Sequence, residues 1–290
     1  MALFDKEKFE KDGYIVIDDF LSEEDITALR SECWNMIEEM KPEEHCPSVF
    51  NTTDPKKHLS NDYFMTSGDK IRFFFEEGAI DDKGKLLVDK QRSINKMGHA
   101  FHALNPVYKR VTFSEKVKNI MKSLNLVDPV VCQSMYIFKQ PGIGGEVTPH
   151  QDNTFLYTEP MKLYGLWIAL EDATIENGCL WFIPGSHKNG LYGNRRMIRN
   201  PDTTPGQPHI VFTGDVTTFN DDQFIPVPVK KGSCVVLHGE VVHKSLHNKS
   251  EKSRHIYTFH VFDKKDTVYS PQNWLQETEA LPFPSVYNYA

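Results

Sequence analysis

The chain has 290 residues, a formal charge of -7 and 39% hydrophobic residues. That composition supports a sizeable buried core, and the acidic balance argues against a general nucleic-acid or anionic-membrane surface. No apolar run approaches the ~18 residues of a membrane span. The charged opening, Met1 to Glu10, carries no apolar signal core, and the ending, Val286 to Ala290, is neither a peroxisomal tripeptide nor a prenylation box. The five cysteines (33, 46, 132, 179, 234) are scattered and form no CxxC. They read as free packing thiols in a reducing compartment, so a cytoplasmic protein is expected.

In chain order, Asp12-Gly13 turns the chain into a short strand, Tyr14 to Ile17. Ser22 is an N-cap, and Ile26, Leu29, Cys33, Ile37 and Met40 recur at helical spacing until Pro42. Residues 43–62 read as loop and Ile71 to Phe75 as strand. Leu86-Leu87-Val88 can pair back as a hairpin, and the stretch around Ile94 to Gly98 leads into a helical pattern from about His99. Ser114 caps a helix bearing Val117, Ile120, Met121 and Leu124. From residue 129 the period changes. Val130–Phe138, Tyr164–Leu170, Cys179–Ile183, Phe224–Val229, Ser233–Leu237 and His255–Phe262 are β-rich, with turn residues rather than helices between them. Antiparallel pairing follows. Residues 185–222, rich in Gly, Pro, Asn and Asp, read as a long loop over one end. The expected fold is mainly β with flanking helices: a double-stranded β-helix (jelly-roll, cupin-like) core buttressed by N-terminal helices. The expected organisation is one domain over 1–290, with mixed helical support (1–128), the jelly-roll core (129–265) and a C-terminal tail (266–290).

Within this pattern, His150-Gln151-Asp152 places an imidazole and a carboxylate two residues apart, on one face of an extended backbone. Pro149 lacks a ladder donor and marks a strand edge, while Gly144-Gly145 permit close backbone approach. Two histidines compete to be the third ligand, His238 and His243. Two His and one carboxylate with the opposite positions free is the facial arrangement of non-haem Fe(II) oxygenases. Their open positions take a bidentate cosubstrate such as a 2-oxo acid. A dicarboxylic 2-oxo acid needs a cation at its far end, and the planar fork of Arg suits it. Arg254 lies eleven residues after His243, room for a strand, the turn Asn248 to Glu251 and a return, so that the two face each other across a hairpin. That partner selects His243 over His238. Ser245, on the face of His243, can donate to the same carboxylate.

These residues, with Gly178-Cys179-Leu180-Trp181-Phe182-Ile183-Pro184-Gly185-Ser186-His187 between them and Asp12-Gly13-Tyr14 to Leu21-Ser22 at the start, resemble the phytanoyl-CoA dioxygenase family of Fe(II)/2-oxoglutarate oxygenases. Ser67 to Glu76, Ser93 to Lys96 and Gln133 to Lys139 extend the resemblance over nearly the whole chain. It implies His150, Asp152 and His243 as iron ligands, with Arg254 and Ser245 gripping the far carboxylate of 2-oxoglutarate. It further implies that Lys96, Met135 and Trp167 line the cosubstrate pocket. Read alone, Met135 and Trp167 are core residues and Lys96 is a solvated lysine. The implied cofactors are Fe(II), 2-oxoglutarate and O₂, and the implied activity is hydroxylation, because halogenases of this kind lack the carboxylate that Asp152 supplies. The expected partner is a small-molecule substrate, with no nucleic acid, no membrane and a monomeric state. The alternatives are a non-catalytic metal- or 2-oxo-acid-binding module on the same scaffold and a zinc hydrolase, which leaves Arg254 without a role. Arg195, Arg196 and Arg199 form a basic cluster that can meet an anionic substrate.

Overall fold

The structure is a computed structural model that describes residues 4–45, 62–81 and 85–289. Most of the expected 43–62 loop, and Cys46, lie outside the described residues. The first helix, α1 (Lys6–Asp12), starts at Asp5, whose carboxylate accepts from the Lys8 amide, and ends at Gly13 in the left-handed region at φ 82°. Gly13 delivers the chain into β1 (Tyr14–Ile17). The second helix, α2 (Glu23–Glu39), is capped by Ser22 accepting from Asp25 N at 3.1 Å and carries three acids in its first turn. Both features favour the positive end of the helix. Its apolar face buries Ile26, Leu29, Cys33 and Ile37. Shorter helices follow: α3 (Asp62–Met65), α4 (Phe101–Leu104), α5 (Pro106–Thr112) and α6 (Glu115–Ser123).

The remaining strands are β2 (Ile71–Phe75), β3 (Ile94–His99), β4 (Pro129–Ile137), β5 (Val147–His150), β6 (Thr158–Glu159), β7 (Leu163–Ala169), β8 (Leu180–Phe182), β9 (Arg196–Arg199), β10 (Ile210–Thr213), β11 (Ile225–Val227), β12 (Cys234–His238), β13 (His243–Ser245), β14 (Ile256–Asp263) and β15 (Val268–Tyr269). They form a major sheet in the order β1-β12-β7-β14-β4-β3-β2 and a minor sheet in the order β11-β8-β13-β5, with every pairing antiparallel. The period of two sorts the major sheet into two faces. Leu166, Ile168, Val236, Tyr257 and Phe259 pack with Leu29, Ile37 and the other helical residues. Trp167, Ala169, Val235, Leu237 and Ile256 face Leu180 and Phe182 of the minor sheet. A third apolar cluster, including Phe64, Phe74, Leu163, Ile210 and Trp274, closes one end of the sandwich. The jelly-roll expectation with helical buttresses is met. Cys33, Cys132, Cys179 and Cys234 are free and buried, as packing residues should be.

Two expectations are sharpened. The segment around Ile94 to Gly98 is the strand β3, which pairs with both β2 and β4, and the helical pattern from about His99 is met by α4 and α5. The first of these helices stops after four residues, because Pro106 pushes Asn105 to extended angles (φ -114°, ψ 121°). Asn105 then caps α5, accepting from Val107 N at 3.0 Å. The 185–222 stretch is not all loop: β9 and β10 form an antiparallel ribbon within it, with Met197 and Ile210 buried in the end cluster.

Candidate metal and cosubstrate site

His150 and His243 are register partners across β5 and β13, which sets their rings 4.2 Å apart, centroid to centroid. Gln151 is extended (φ -120°, ψ 137°), so Asp152, entering a short turn, shares the face of His150. The side chain of Gln151 pins this bend: its amide donates to Gly190 O and Glu240 O at 2.9 and 2.6 Å, and its oxygen accepts from Tyr192 N at 2.8 Å. The Nε2 atoms of His150 and His243 lie 3.7 and 3.6 Å from Asp152 Oδ1. One ligand atom from each of the three residues falls within 4.8 Å of the others. The opposite ring nitrogens bond backbone carbonyls, His150 Nδ1 to Thr148 O at 2.8 Å and His243 Nδ1 to Val241 O at 3.1 Å. A carbonyl only accepts, so both rings donate from Nδ1, and both Nε2 lone pairs are free for a cation. Burial, reinforced by the charge of His243, pushes the His150 pKa down to about 4, which keeps that ring neutral and ligating near pH 7. Burial alone would raise the Asp152 carboxyl, but the charges of His260 and His243 and a hydrogen bond from His260 outweigh it and hold it below the usual carboxylate range.

At the other end of the sandwich interior sits Arg254. Its side chain is buried and its guanidinium carbon lies 5.1 Å from the ring centre of Trp167. Its Nε and one terminal nitrogen have no hydrogen-bond partner among the described residues. Burial lowers its pKa to about 10, which still leaves it charged at neutral pH. The hairpin proposed to link it to His243 does not form. β13 pairs with β5 and β8 in the minor sheet, whereas β14 pairs with β4 and β7 in the major sheet. The short turn after Ser245 crosses between sheets, and Arg254 enters beside Phe138 and Lys139, to whose carbonyls its amide donates at 3.3 Å. Ser245 is buried with its hydroxyl donated to Gly178 O at 2.9 Å.

Between the two ends, Met135, Thr258 and Trp167 are register neighbours on β4, β14 and β7 and form a floor. Gly98 continues that row on β3; a Cβ there would stand 3.1 Å from Met135 Cγ. Lys96 is not solvated: it is buried, with its ammonium 5.3 and 5.7 Å from the ring centres of Phe74 and Phe64, and burial lowers its pKa to about 7. His238 is absent from the cluster; its ring lies 4.7 Å from that of His187, tilted by 54°, beside Gly13. The three loop arginines diverge. Arg196 donates to Ser270 and Gln272, Arg199 donates to the carbonyls of Asn273 and Trp274, and Arg195 lies 4.5 Å above the ring of Phe212. Phe212 contacts Phe155, which contacts His150. Sequence reasoning missed His260, whose Nε2 lies 3.2 Å from Asp152 Oδ2. The one available signal was its position: an ionisable residue at an inward-facing point of an otherwise apolar strand.

Fold and site together define a jelly-roll protein with a two-His-one-carboxylate cluster at one end of its interior and a buried arginine at the other. The profile of the family "Phytanoyl-CoA dioxygenase (PhyH)" matches residues 9–256. A Danio rerio protein, "Phytanoyl-CoA dioxygenase domain-containing protein 1", is 56% identical over 98% of this chain and 97% of its own length. The chain belongs to the phytanoyl-CoA dioxygenase family. Among solved structures, the nogalamycin-biosynthesis carbocyclase SnoK, described as non-heme and alpha ketoglutarate dependent, is similar in fold, with a TM-score of 0.62 at 19% identity over 96% of each chain. The epimerase SnoN, solved with Fe3+, alpha ketoglutarate and nogalamycin RO, gives 0.61 at 15% identity over 97% of this chain and 96% of its own.

Proposed function

We propose that the protein is an Fe(II)- and 2-oxoglutarate-dependent dioxygenase that hydroxylates a small organic or acyl substrate. The observation that carries this reading is the pairing of a His150–Asp152–His243 cluster with a buried Arg254 whose donors are idle. A buried guanidinium with unused donors is costly unless an anion completes it, and a carboxylate fits its fork. In this reading His150, Asp152 and His243 hold Fe(II). Arg254 takes the far carboxylate of 2-oxoglutarate, while Lys96, Met135 and Trp167 line its pocket. Ser245 joins the grip only by releasing Gly178 O, so its share is smaller. When bound, Fe(II), 2-oxoglutarate and O₂ supply an oxidative decarboxylation to succinate and CO₂, coupled to hydroxylation of a substrate C–H. The chain itself aims both imidazole Nε2 atoms at the metal, orients the cosubstrate from its far end and shields it by packing around it.

His150 is the most exposed of the three, with 19% of its side chain accessible against 12% for Asp152 and 7% for His243. The opening therefore lies on its side, where Phe155, Phe212 and Arg195 follow one another. That run supports a substrate with an apolar body and an anionic group. The test is release of labelled CO₂ from carboxyl-labelled 2-oxoglutarate by purified protein with Fe(II) and O₂, across candidate substrates, with Asp152→Ala and His243→Ala as controls. Release that exceeds both variants is the expected result. Metal-dependent retention of 2-oxoglutarate without any turnover would instead mark a binding module.

A further inference from the structure

Asp152 touches three imidazoles, and the metal reading uses two. His150 and His243 both face Oδ1, at 3.7 and 3.6 Å, whereas His260 faces Oδ2 at 3.2 Å. The two carboxylate oxygens are thus divided between a metal side and a protein side. His260 stands on β14 in the major sheet, while both metal-facing imidazoles belong to the minor sheet. Its side chain is only 9% exposed, and its other nitrogen, Nδ1, is buried without a hydrogen-bond partner among the described residues. Among the described residues, the polar contact that this buried ring makes is therefore the one to Asp152. An ionised carboxylate only accepts, so Nε2 carries the proton in that contact.

The neighbouring strand makes room for the pair. Gly165 on β7 is the register partner of His260. A Cβ at Gly165 would stand 3.2 Å from Asp152 Oδ2 and 3.6 Å from His260 Cδ2 and Nε2. Any larger residue would press first on this pair, whose atoms are the three nearest to such a Cβ. The glycine has no left-handed φ to explain its presence, so close approach is what it provides.

We propose that His260 is a positioning residue: its Nε2–H holds Asp152 by Oδ2, so that Oδ1 alone is offered to the metal. The inference rests on the metal reading above. Its consequence is a coordination count. A carboxylate bound through both oxygens occupies one position more than a carboxylate bound through one. Tying up Oδ2 keeps that position open for a bidentate 2-oxo acid. Partners of metal ligands typically change metal affinity 10–100-fold when removed. Here the loss should appear both in metal affinity and in the affinity of the metal-loaded protein for 2-oxoglutarate.

The experiment is calorimetric titration of the full-length protein with Co(II), then with 2-oxoglutarate, under conditions without turnover. His260→Gln keeps a donor at the reach of Nε2, whereas His260→Phe keeps the ring volume and removes the donor. Positioning predicts that Gln stays within about threefold of the parent and that Phe weakens Co(II) binding about 10–100-fold. A packing role predicts the reverse order, with Phe tolerated. Gly165→Ala tests the same contact from the other strand and should weaken Co(II) binding in the same direction. It also decides the matter if His260→Phe does not fold. His260→Phe at parent affinity, His260→Gln as weak as a folded Phe variant, or, where His260→Phe does not fold, parent-like binding in Gly165→Ala would overturn the inference. If the parent protein itself binds no Co(II), or binds it equally well with Asp152→Ala, the metal reading fails and the inference falls with it. Those outcomes are distinct from a failure confined to His260.

Discussion

At Arg254 two effects of opposite sign meet. The guanidinium is buried and keeps idle donors, so without an anion it is a cost to the fold. With a carboxylate in place, two charge-assisted hydrogen bonds turn that cost into affinity. Arg254→Met should therefore weaken 2-oxoglutarate binding by about 10–100-fold, the equivalent of roughly 1.5–3 kcal/mol, while the unliganded protein becomes no less stable in urea. Loss of stability alongside the affinity would instead mean that Arg254 is a structural tie. Lys96 offers a pH signature. Burial lowers its folded pKa to about 7 from the ordinary 10.5. Between those pH values the unfolded chain binds a proton that the folded chain does not, so this group makes stability rise with pH across that window. Below pH 7 both states are protonated and the full penalty of a buried charge remains. Compared with Lys96→Met, the parent protein should gain stability steadily from pH 7 to pH 10. Parallel urea midpoints for the two proteins over that range would contradict it. Residue chemistry was legible where local spacing carries it, as in His150-Gln151-Asp152. It was not legible for His260, whose partner is 108 positions distant in sequence and is brought to it by strand order alone.

Elements explain why the expected hairpin between His243 and Arg254 does not form. Eleven residues between His243 and Arg254 suit a hairpin, and the sequence between them has turn residues. Yet jelly-roll topology sends consecutive strands to opposite sheets, so β13 and β14 face each other across the interior instead of sharing a ladder. Both residues are buried, His243 on β13 and Arg254 just before β14. β3 carried no strand signal in the sequence because Lys96 and His99 are polar residues in a buried strand. The helices were legible from their period, and α2 is the test of that reading. Leu29 is fully buried on its apolar face. Leu29→Ala should cost about 2–5 kcal/mol of unfolding free energy by cavity formation. Its metal affinity per folded molecule should stay unchanged, since the helices pack on the outer face of the major sheet and the cluster lies on the inner one. A weakened metal site in that variant would mean that the buttress sets site geometry as well as stability.

Across the whole molecule, the proposed ligands span the two sheets of the sandwich. His150 and His243 are on the minor sheet, Asp152 follows it, and Arg254, Trp167 and Met135 belong to or border the major sheet. A metal alone joins the minor-sheet histidines to Asp152. A 2-oxo acid alone has only the arginine end to hold, because its chelating end needs the metal. Together they form a continuous tie from β5 and β13 to Arg254. Binding to the folded state alone stabilises it by RT ln(1 + [L]/Kd), about 2.7 kcal/mol at one hundred times Kd. For a chain of this size each kcal/mol raises Tm by roughly 2 °C. With a coupling free energy of about 1–3 kcal/mol, Co(II) and 2-oxoglutarate added together at saturation should raise Tm by roughly 2–6 °C beyond the sum of their separate shifts. The excess measures the coupling between them, since each ligand improves the other's site by the same factor. At a fixed 2-oxoglutarate concentration, Arg254→Met should shrink the combined shift and leave the Co(II) shift intact, which separates the arginine's share from simple metal stabilisation. Strictly additive shifts in the parent protein would mean that metal and cosubstrate bind independently, and the two ends of the sandwich interior would not form one site.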